Sequence, residues 1–423
     1  MPTTSLIRVL SVSTSDVSGG AARAAYRIYQ GVRSIGIDCH MFVKDKDSND
    51  PNVYELSAFI PKNPIYKASY WLMQKFKNKW QQYKWFPYKQ TKHNVYMSDL
   101  RSVSIHGALQ KLDFDVLHLH WVNQRFLPLK EMRKIHKPIV WTLHDSWPFC
   151  GVCHYFVDCD KYKTHCGECP LLGSTQVHDL AYEVFDKKQY IYKDLDLHIV
   201  TPSRWLGECA RQSTLLGRFP IQVIPNCIDT NFYKPIEKEH VAKQLRFSPD
   251  KTYILFGAMH ATADPNKGFD ILTRALRLLS GLDVELIIFG TKDNVDSFDL
   301  PFPIHSLGNI YNDECIVFLY NLASVTIVPS RSENLSNTIM ESMSCGTPVV
   351  AFNIGGNGDM IDHKQNGYLA KENDYQDLAQ GIRWCLAHNT DDVLGKNARE
   401  KVLANYTIDK VAGLYKDLYQ SLI

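Results

Sequence analysis

The sequence lacks any apolar run that approaches the roughly 18–20 residues a membrane-spanning helix requires. Its first apolar run, Ile7 to Val12, is short and leads into Ser18-Gly19-Gly20, unlike the hydrophobic region of a secretory signal. We therefore expect a cytoplasmic protein, in a compartment that keeps thiols reduced. The net charge of +2 over 423 residues gives the molecule as a whole no electrostatic bias toward nucleic acid, and we expect no nucleic-acid partner.

Acidic residues are absent between Ser57 and Ser98, and this absence marks an unusual segment. The stretch at residues 61–92, called the basic insert below, contains eight lysines interleaved with aromatic residues at roughly helical spacing. Basic amphipathic helices with interfacial aromatics lie on anionic membranes, and each lysine near such a surface adds about 1 kcal/mol. The insert therefore predicts peripheral association with an anionic inner-membrane surface. Two alternatives stay open. The insert could be a solvated basic loop whose aromatic residues pack on the domain, or it could bind single-stranded nucleic acid, although no recognised nucleic-acid-binding module is present.

Short apolar strands alternate with helical patterns in both halves of the chain, and 423 residues exceed what one ordinary core organises. Continuous apolar strands separated by helices indicate a parallel sheet covered on both faces. The predicted fold class is therefore α/β, with two Rossmann-like doubly wound domains facing a cleft at the carboxyl ends of their strands. We place the domains at residues 1–225 and 226–405, followed by a C-terminal helix at 406–423 that returns to the first domain.

The first strand is followed directly by Gly19-Gly20, which open a helix. Glycines at this position let the backbone turn tightly, and the N–H groups at a helix start favour a phosphate or a sugar oxygen. The pattern is not GxGxxG, so the dinucleotide-binding fingerprint is absent. A tight turn between strand and helix with no ligand explains the same residues.

The segment Pro329–Gly356 reads PSRSENLSNTIMESMSCGTPVVAFNIGG and carries two acids with seven residues between them. Glu333 lies in the loop at the carboxyl end of a predicted strand, and Glu341 lies about one turn into the helix that follows. Between them, the N–H groups of the helix start would hold an anionic phosphate. Carboxylates on either side of a phosphate pocket suit hydroxyl-rich groups such as a sugar and a ribose. A capped surface helix with ordinary acids is the alternative.

This segment resembles the signature of retaining glycosyltransferases of the GT-B fold, the family 4 group, in its Glu-x7-Glu spacing and the following Met-x-x-Gly-x-Pro-Val-Val. Further matches occur in the family order along nearly the whole chain apart from the basic insert: Gly19-Gly20, His144, Thr201-Pro202-Ser203, Val223-Ile224-Pro225-Asn226, Asp229, Lys267-Gly268 and Asn366-Gly367. The stretch from His144 to Pro170 is similar to a branch of the family that acts in bacterial capsule, exopolysaccharide or lipopolysaccharide assembly.

The resemblance implies transfer of a sugar from a nucleoside-diphosphate sugar to a glycan or lipid-linked acceptor, with retention at the anomeric carbon and no essential metal. Glu333 would contact the hydroxyls of the transferred sugar, Glu341 the ribose, and His144 the region of the anomeric carbon. Lys267 would stabilise the diphosphate leaving group. The remaining donor-binding positions implied by the family are Gly19, Gly20, Asn309 beside the base, and Leu335, Ser336, Asn337 and Thr338 around the phosphates.

Three positions depart from the family pattern. Asn334 stands where relatives usually place Gly, and Cys227 replaces the Gly after Pro-Asn. The family arginine that partners the lysine is missing from Phe256–His260, and either His260 or Arg331 could replace it.

Five of the 11 cysteines fall between Cys150 and Cys169. The CxxC pair at Cys150 and Cys153, together with Cys166 and Cys169, has the two-knuckle spacing of a structural zinc site. Cysteines at the later positions in similar transferases favour the set Cys153, Cys159, Cys166 and Cys169, which we predict as the zinc ligands. Disulfides and reduced, merely packed cysteines are the alternatives.

Two rival functions fit the same fold. A sugar-nucleotide epimerase would need further acids and histidines near the ligand and would act without an acceptor. A non-catalytic scaffold would bind partners through the cysteine-rich loop, residues 150–170, but it would not need Lys267, Glu333 and Glu341.

Overall fold

The computed structural model describes residues 7–60, 105–155, 159–293 and 298–423, together with residues 63, 68, 69, 72, 75, 76, 79 and 88. Most of the basic insert, and with it the predicted membrane-binding helix, lies outside the described residues. Within them, no helix combines the length and apolar character that crossing a membrane requires. The chain divides into two compact units. Unit 1 comprises residues 1–202, 206–224 and 412–423, and unit 2 comprises residues 203–205 and 225–411.

Unit 1 is built on a seven-stranded sheet in the order β3-β2-β1-β4-β5-β6-β7, in which every neighbouring pair is parallel. Its strands are β1 (Arg8–Ser15), β2 (Asp38–Asp45), β3 (Val53–Glu55), β4 (Val116–Leu119), β5 (Ile139–Thr142), β6 (Leu197–Thr201) and β7 (Ile221–Val223). The helices of this part of the chain whose bounds the structure describes are α1 (Gly20–Ser34), α2 (His106–Leu109), α3 (Leu129–Met132), α4 (Leu180–Tyr192) and α5 (Arg204–Gln212). All positions of β4 and β5 are buried, as expected for central strands covered on both faces.

Unit 2 is built on a six-stranded parallel sheet in the order β10-β9-β8-β11-β12-β13. Its strands are β8 (Tyr253–Gly257), β9 (Glu285–Phe289), β10 (Ile304–Ser306), β11 (Val325–Val328), β12 (Val349–Phe352) and β13 (Gly367–Ala370). Its helices are α6 (Lys238–Leu245), α7 (Phe269–Arg277), α8 (Asp313–Leu322), α9 (Asn337–Ser344), α10 (Asn357–Met360), α11 (Tyr375–His388) and α12 (Val393–Asn405). The core forms two layers because alternate strand residues point to opposite faces: Leu255 and Ile287 lie in one layer, and Ile254 and Leu286 in the other.

The chain ends in α13 (Ile408–Gln420), most of which belongs to unit 1. Its buried face includes Tyr415 and Tyr419, both fully inaccessible to solvent. Tyr415 reaches the Thr142 hydroxyl at the end of β5, at 2.9 Å. The last helix is therefore part of the core of unit 1.

Candidate functional site

The loop between β11 and α9 places Glu333 at the carboxyl edge of the unit 2 sheet. A second loop, after β12, lies directly against it: a Cβ on Gly355 would come within 1.7 Å of the Glu333 carbonyl oxygen, and one on Gly356 within 1.9 Å of the Asn334 carbonyl oxygen. Gly355 also has a φ of +52°, a conformation that side chains disfavour. The two glycines therefore allow the backbone of the loop after β12 to pack directly against the backbone at Glu333.

Asn334, where relatives usually have Gly, has a structural partner. Its side-chain oxygen accepts a hydrogen bond from the Ser203 hydroxyl at 2.7 Å, and both side chains are buried. The pair fixes the position next to Glu333 through a satisfied buried hydrogen bond. The departure at Asn334 is thus compensated by Ser203.

Lys267 and Glu333 form an ion pair, with Lys267 Nζ 3.1 Å from Glu333 Oε1. The turn that carries Lys267 is held against the end of β11, because Gly268, at φ +68°, lies where a Cβ would be 1.9 Å from the Pro329 carbonyl oxygen. The negative charge of Glu333 raises the pKa of Lys267, so the ammonium stays charged. A fixed cation beside a carboxylate can hold an anionic group and a hydroxyl at one place.

Glu341 is buried in α9, and one of its oxygens accepts a hydrogen bond from the Tyr320 hydroxyl at 3.1 Å. Tyr320 comes from α8, a different part of the sequence, and it fixes the orientation of the Glu341 carboxylate. The first N–H groups of α9 lack acceptors within the helix, as at any helix start, and its first turn carries no acid. This helix end offers an anion the positive end of a dipole.

The predicted donor-binding positions follow the strand topology. Because all strands of unit 2 are parallel, the loops after β8, β10, β11 and β12 emerge at one edge of the sheet. Lys267 lies in the first of these loops, and Asn309 lies exposed in the second. At the start of α9, Leu335 and Ser336 are buried, whereas Asn337 and Thr338 are half-buried.

Arg331 has a structural role. Its guanidinium is 2.6 Å from Asp270 Oδ2 and also donates to the carbonyl oxygen of Pro265. It therefore holds the turn that carries Lys267. Of the two candidates for the missing family arginine, His260 is the exposed one, in a loop where it has a φ of +54°.

In unit 1, His144 lies two residues beyond β5 and its Nε2 is 3.1 Å from Nδ1 of His120. Burial lowers the pKa of His144 to about 4, so the ring is neutral at pH 7. The neighbouring Asp145 serves the loop that follows: it accepts hydrogen bonds from Trp121 Nε1 at 2.7 Å and from the Trp147 backbone N–H at 3.0 Å, and it also contacts Nδ1 of His154. The two members of the His-Asp pair therefore have different partners.

Gly19 lies between β1 and α1, and Gly20 is the first residue of α1; both lie at the same edge of the unit 1 sheet as His144. Gly19 has a φ of +98° and precedes the first helical residue. Asp16, buried before them, accepts from the backbone N–H groups of Val17, Asp47 and Ser48 and so fixes the approach to the turn. The position predicted from the sequence is thus a glycine turn at a helix start.

The cysteine-rich loop is organised by a buried lysine. Lys188 of α4 donates from Nζ to the carbonyl oxygens of Trp147, Cys150 and Gly151, the last two at 2.7 and 3.0 Å. Its ammonium also lies 3.7 Å from the centre of the Trp147 ring. Burial lowers the pKa of Lys188 to about 7, whereas the three carbonyl oxygens and the ring stabilise the charged form. Nothing in the sequence around Lys188 marks it as a structural residue.

The predicted zinc set does not form a recognisable site. All 11 cysteines are among the described residues, and none is in a disulfide. In the part of the chain that the structure describes, which omits residues 156–158 of this loop, no three His, Cys, Asp or Glu side chains are grouped so that they could hold a metal. The Cys166 sulfur instead accepts a hydrogen bond from the Gly151 N–H at 3.2 Å. The structure thus gives no support for zinc at Cys153, Cys159, Cys166 and Cys169, and metal analysis of protein purified without added zinc is the direct test.

Comparison with known families gives two matches that together span most of the chain. Residues 18–232 match the family model described as Glycosyltransferase Family 4, and residues 237–401 match the model described as Glycosyl transferases group 1. Among curated proteins, the chain is 24% identical over 326 residues to the putative colanic acid biosynthesis glycosyl transferase WcaC of Escherichia coli K12, covering 74% of this chain and 76% of that one. It is 28% identical over 282 residues to the putative glycosyltransferase YtcC of Bacillus subtilis, covering 59% of this chain and 68% of that one.

Solved structures show the fold. The sucrose-phosphate synthase of Thermosynechococcus elongatus aligns with a TM-score of 0.68 at 18% identity, over 98% of this chain and 99% of that one. Anabaena Alr3699/HepE, solved in complex with UDP-glucose, aligns with a TM-score of 0.65 at 16% identity, over 98% of this chain and 100% of that one. The two parallel-sheet α/β units of this chain match the GT-B arrangement of two Rossmann-like domains.

Proposed function

Because the chain belongs to glycosyltransferase family 4, we propose that it moves a sugar from a nucleoside-diphosphate sugar to a glycan or lipid-linked acceptor, with retention at the anomeric carbon. The observation that carries the proposal is the Lys267–Glu333 ion pair beside the start of α9. Further support comes from the colanic acid transferase among its relatives, which points to polysaccharide synthesis, and from the UDP-glucose complex of a structural neighbour.

In the proposed reaction, the diphosphate lies at the start of α9 with Lys267. The ammonium and the helix dipole stabilise the negative charge that grows on the leaving group as the glycosidic bond to phosphate breaks. Such preorganised charge is worth several kcal/mol because it is already in place before the reaction. On this proposal no divalent cation is needed, so transfer proceeds unchanged in excess EDTA.

The two carboxylates bind different parts of the donor. Glu333 accepts hydrogen bonds from hydroxyls of the transferred sugar, and Glu341, oriented by Tyr320, accepts them from the ribose hydroxyls. Asn309 lies beside the base. In unit 1, His144 contacts the transferred sugar near its anomeric carbon, and Gly19-Gly20 approach the donor through backbone N–H groups. These roles are proposals that single substitutions test.

The first experiment is a thermal-shift screen against UDP-, GDP-, TDP- and ADP-sugars, since a ligand of the folded state raises stability according to its affinity. We expect at least one nucleotide class to raise the unfolding temperature. The shift should be lost in Lys267→Met and retained in Lys251→Met, which removes a lysine that pairs with Asp283 on the surface of the same unit. A shift that survives in Lys267→Met would remove Lys267 from the site.

Transfer itself is measured with the nucleotide identified in this way. Glu333→Ala should abolish turnover while the unfolding temperature stays near that of the parent protein, and retained turnover would refute the role of Glu333. The anomeric coupling constant of the product, read by proton NMR, distinguishes retention from inversion. Donor conversion without an acceptor would favour an epimerase, and binding without any turnover would favour a scaffold.

The basic insert supports a second, separable proposal, that the protein docks on anionic lipid where lipid-linked acceptors are found. Its eight lysines between residues 61 and 92 predict salt-sensitive flotation with anionic liposomes. Equal flotation with neutral liposomes, or none with either kind, would exclude this docking without touching the proposed chemistry.

A further inference from the structure

A stripe of polar side chains crosses the otherwise apolar core of unit 1. The strand register pairs Ser11 with His118, and His118 with Val140, so Ser13, His120 and Thr142 point to the same face as His118. Ser11, Ser13, His118, His120 and Thr142 are all at most 2% exposed. Buried polar side chains usually have hydrogen-bond partners, so the partners of this row indicate its role.

Two of these five side chains, His118 and Thr142, are hydrogen-bonded to tyrosines of the C-terminal helix. The Tyr419 hydroxyl is 2.7 Å from Nδ1 of His118, whose Nε2 is 2.8 Å from the Thr142 hydroxyl. The Thr142 hydroxyl is in turn 2.9 Å from the Tyr415 hydroxyl. Because each hydroxyl can both donate and accept, this series of hydrogen bonds satisfies both ring nitrogens of a neutral His118, whichever of the two carries the proton.

The His120 ring lies between the rings of His118 and His144. Its ring lies 4.1 Å from the His118 ring, centre to centre, so packing against His118 restricts it. Its Nδ1 lies 3.1 Å from Nε2 of His144, and the two rings are stacked with an interplanar angle of 27°. The orientation of His144 is therefore linked through His120 to side chains of the last helix.

The partners of His120 indicate where its proton lies. Its Nε2 is buried and has no hydrogen-bond partner among the described residues. A neutral imidazole has one N–H. A proton on Nε2 would be a buried donor without an acceptor, whereas a proton on Nδ1 is used by His144; orphaned buried donors are the rarer case in protein structures. His120 then donates from Nδ1, and Nε2 of His144 accepts, so the proton of His144 is on Nδ1.

We propose that His120 is a positioning residue for His144: it fixes His144 as the tautomer that carries its proton on Nδ1, and Tyr415 and Tyr419 hold His120 in place through His118 and Thr142. The kinetic consequence rests on the proposed function, because it requires that His144 contact the transferred sugar. His120 would then set both the orientation and the protonated nitrogen of the His144 ring before the sugar binds. The tautomer itself is a property of the protein alone.

The tautomer is tested by NMR of the whole protein labelled with 15N in its histidines, with the His144 signals assigned from His144→Asn. At pH 7 we expect Nδ1 of His144 to be protonated and Nε2 to be bare. His120→Asn places an amide N–H near the position of Nδ1 and should keep this state, whereas His120→Leu should give a mixture of tautomers. A protonated Nε2 on His144 in the parent protein overturns the proposal.

The kinetic arm uses the same variants and a matched control. His120→Leu should lower kcat by about 10- to 100-fold, with the KM for the donor changed less than threefold, since loss of orientation mainly affects the reacting geometry. His120→Asn should restore most of the rate. His198→Leu, which removes a β6 histidine of the same sheet that pairs with Asp196, should leave the rate unchanged. Full activity in His120→Leu also overturns the proposal. Failure of the parent protein to transfer any sugar would instead refute the proposed function and leave the NMR result intact.

Discussion

Replacing Gly355 with Ala tests whether the two loops at the edge of the unit 2 sheet set the position of Glu333. The added Cβ would lie 1.7 Å from the Glu333 carbonyl oxygen, where ordinary contacts begin at 3.4 Å. The two backbones must therefore separate by about 1.5 Å or more, and a misplacement of about 1 Å at a reacting centre costs on the order of 100-fold in rate. The left-handed conformation at φ +52° adds about 1–2 kcal/mol of strain.

The assay is sugar transfer under donor-limiting conditions, paired with thermal unfolding. We expect kcat/KM to fall about 100-fold and the unfolding midpoint to fall by about 2–4 °C for each kcal/mol lost in a domain of this size. Gly358→Ala is the matched control, because a Cβ there meets the Asn353 side chain at 3.6 Å and the Leu369 side chain at 4.0 Å, both ordinary contact distances. Its activity should match that of the parent protein. If Gly355→Ala transfers sugar within threefold of the parent rate, the supporting role of this loop is refuted.

Three further predictions concern the remaining features. Lys188→Met leaves three buried carbonyl oxygens without their donor and should lower the free energy of unfolding by about 2–4 kcal/mol in urea titration, whereas the exposed Lys187→Met should be neutral. Tyr320→Phe removes one hydrogen bond to Glu341 and should raise the KM for the donor about 3- to 10-fold with kcat nearly unchanged. Burial lowers the pKa of His118 to about 3, so between that value and about 6.5 the unfolded chain binds more protons. The contribution of His118 to stability should therefore fall as the pH drops below about 6.5, by up to about 1.4 kcal/mol per pH unit, and His118→Asn should reduce the dependence of stability on pH by that amount.

Each of these three has a clear contrary result. Equal urea midpoints for the two lysine variants would mean that Lys188 does not hold the cysteine-rich loop. An unchanged donor KM in Tyr320→Phe would separate Glu341 from ribose binding. A pH slope that is the same in His118→Asn and the parent protein would place the acid sensitivity elsewhere.

Patterns within short stretches of sequence predicted much of the fold. Apolar runs such as Ile139–Thr142 and Val349–Phe352 are central strands because both faces of each sheet are covered. Helices α4 and α12 have a weak sequence signal, because Leu180–Tyr192 and Val393–Asn405 mix apolar and charged residues without a strong apolar stripe.

The candidate site shows the same division between local and distant information. Glu333 and Glu341 share one strand–loop–helix unit, so their spacing alone indicated a common ligand. The hydroxyl that orients Glu341 comes from Tyr320, and no local pattern links the two residues. The contact between Thr142 and Tyr415 spans 273 residues. Such partners depend on the packed fold, which is why sequence reasoning named His144 but missed the residues behind it.

The cysteine-rich loop shows what a local spacing pattern leaves out. CxxC spacing is typical of a structural zinc site, and it directs attention to the cysteines alone. A buried lysine, Lys188, 38 residues from Cys150 in sequence, supplies hydrogen bonds to the loop backbone. Spacing identifies residues that could share a ligand, but it does not reveal whether another side chain already holds the loop.

The central claim is that Lys267 and Glu333 form the binding site for a nucleoside-diphosphate sugar. Its most direct test is calorimetric titration of the parent protein and of Lys267→Met with the nucleoside diphosphates UDP, GDP, TDP and ADP. We predict one-to-one binding of at least one of them to the parent protein, and at least 30-fold weaker binding to Lys267→Met, which corresponds to about 2 kcal/mol. Equal affinity in the two proteins, or no binding of any of the four to the parent protein, would contradict the claim.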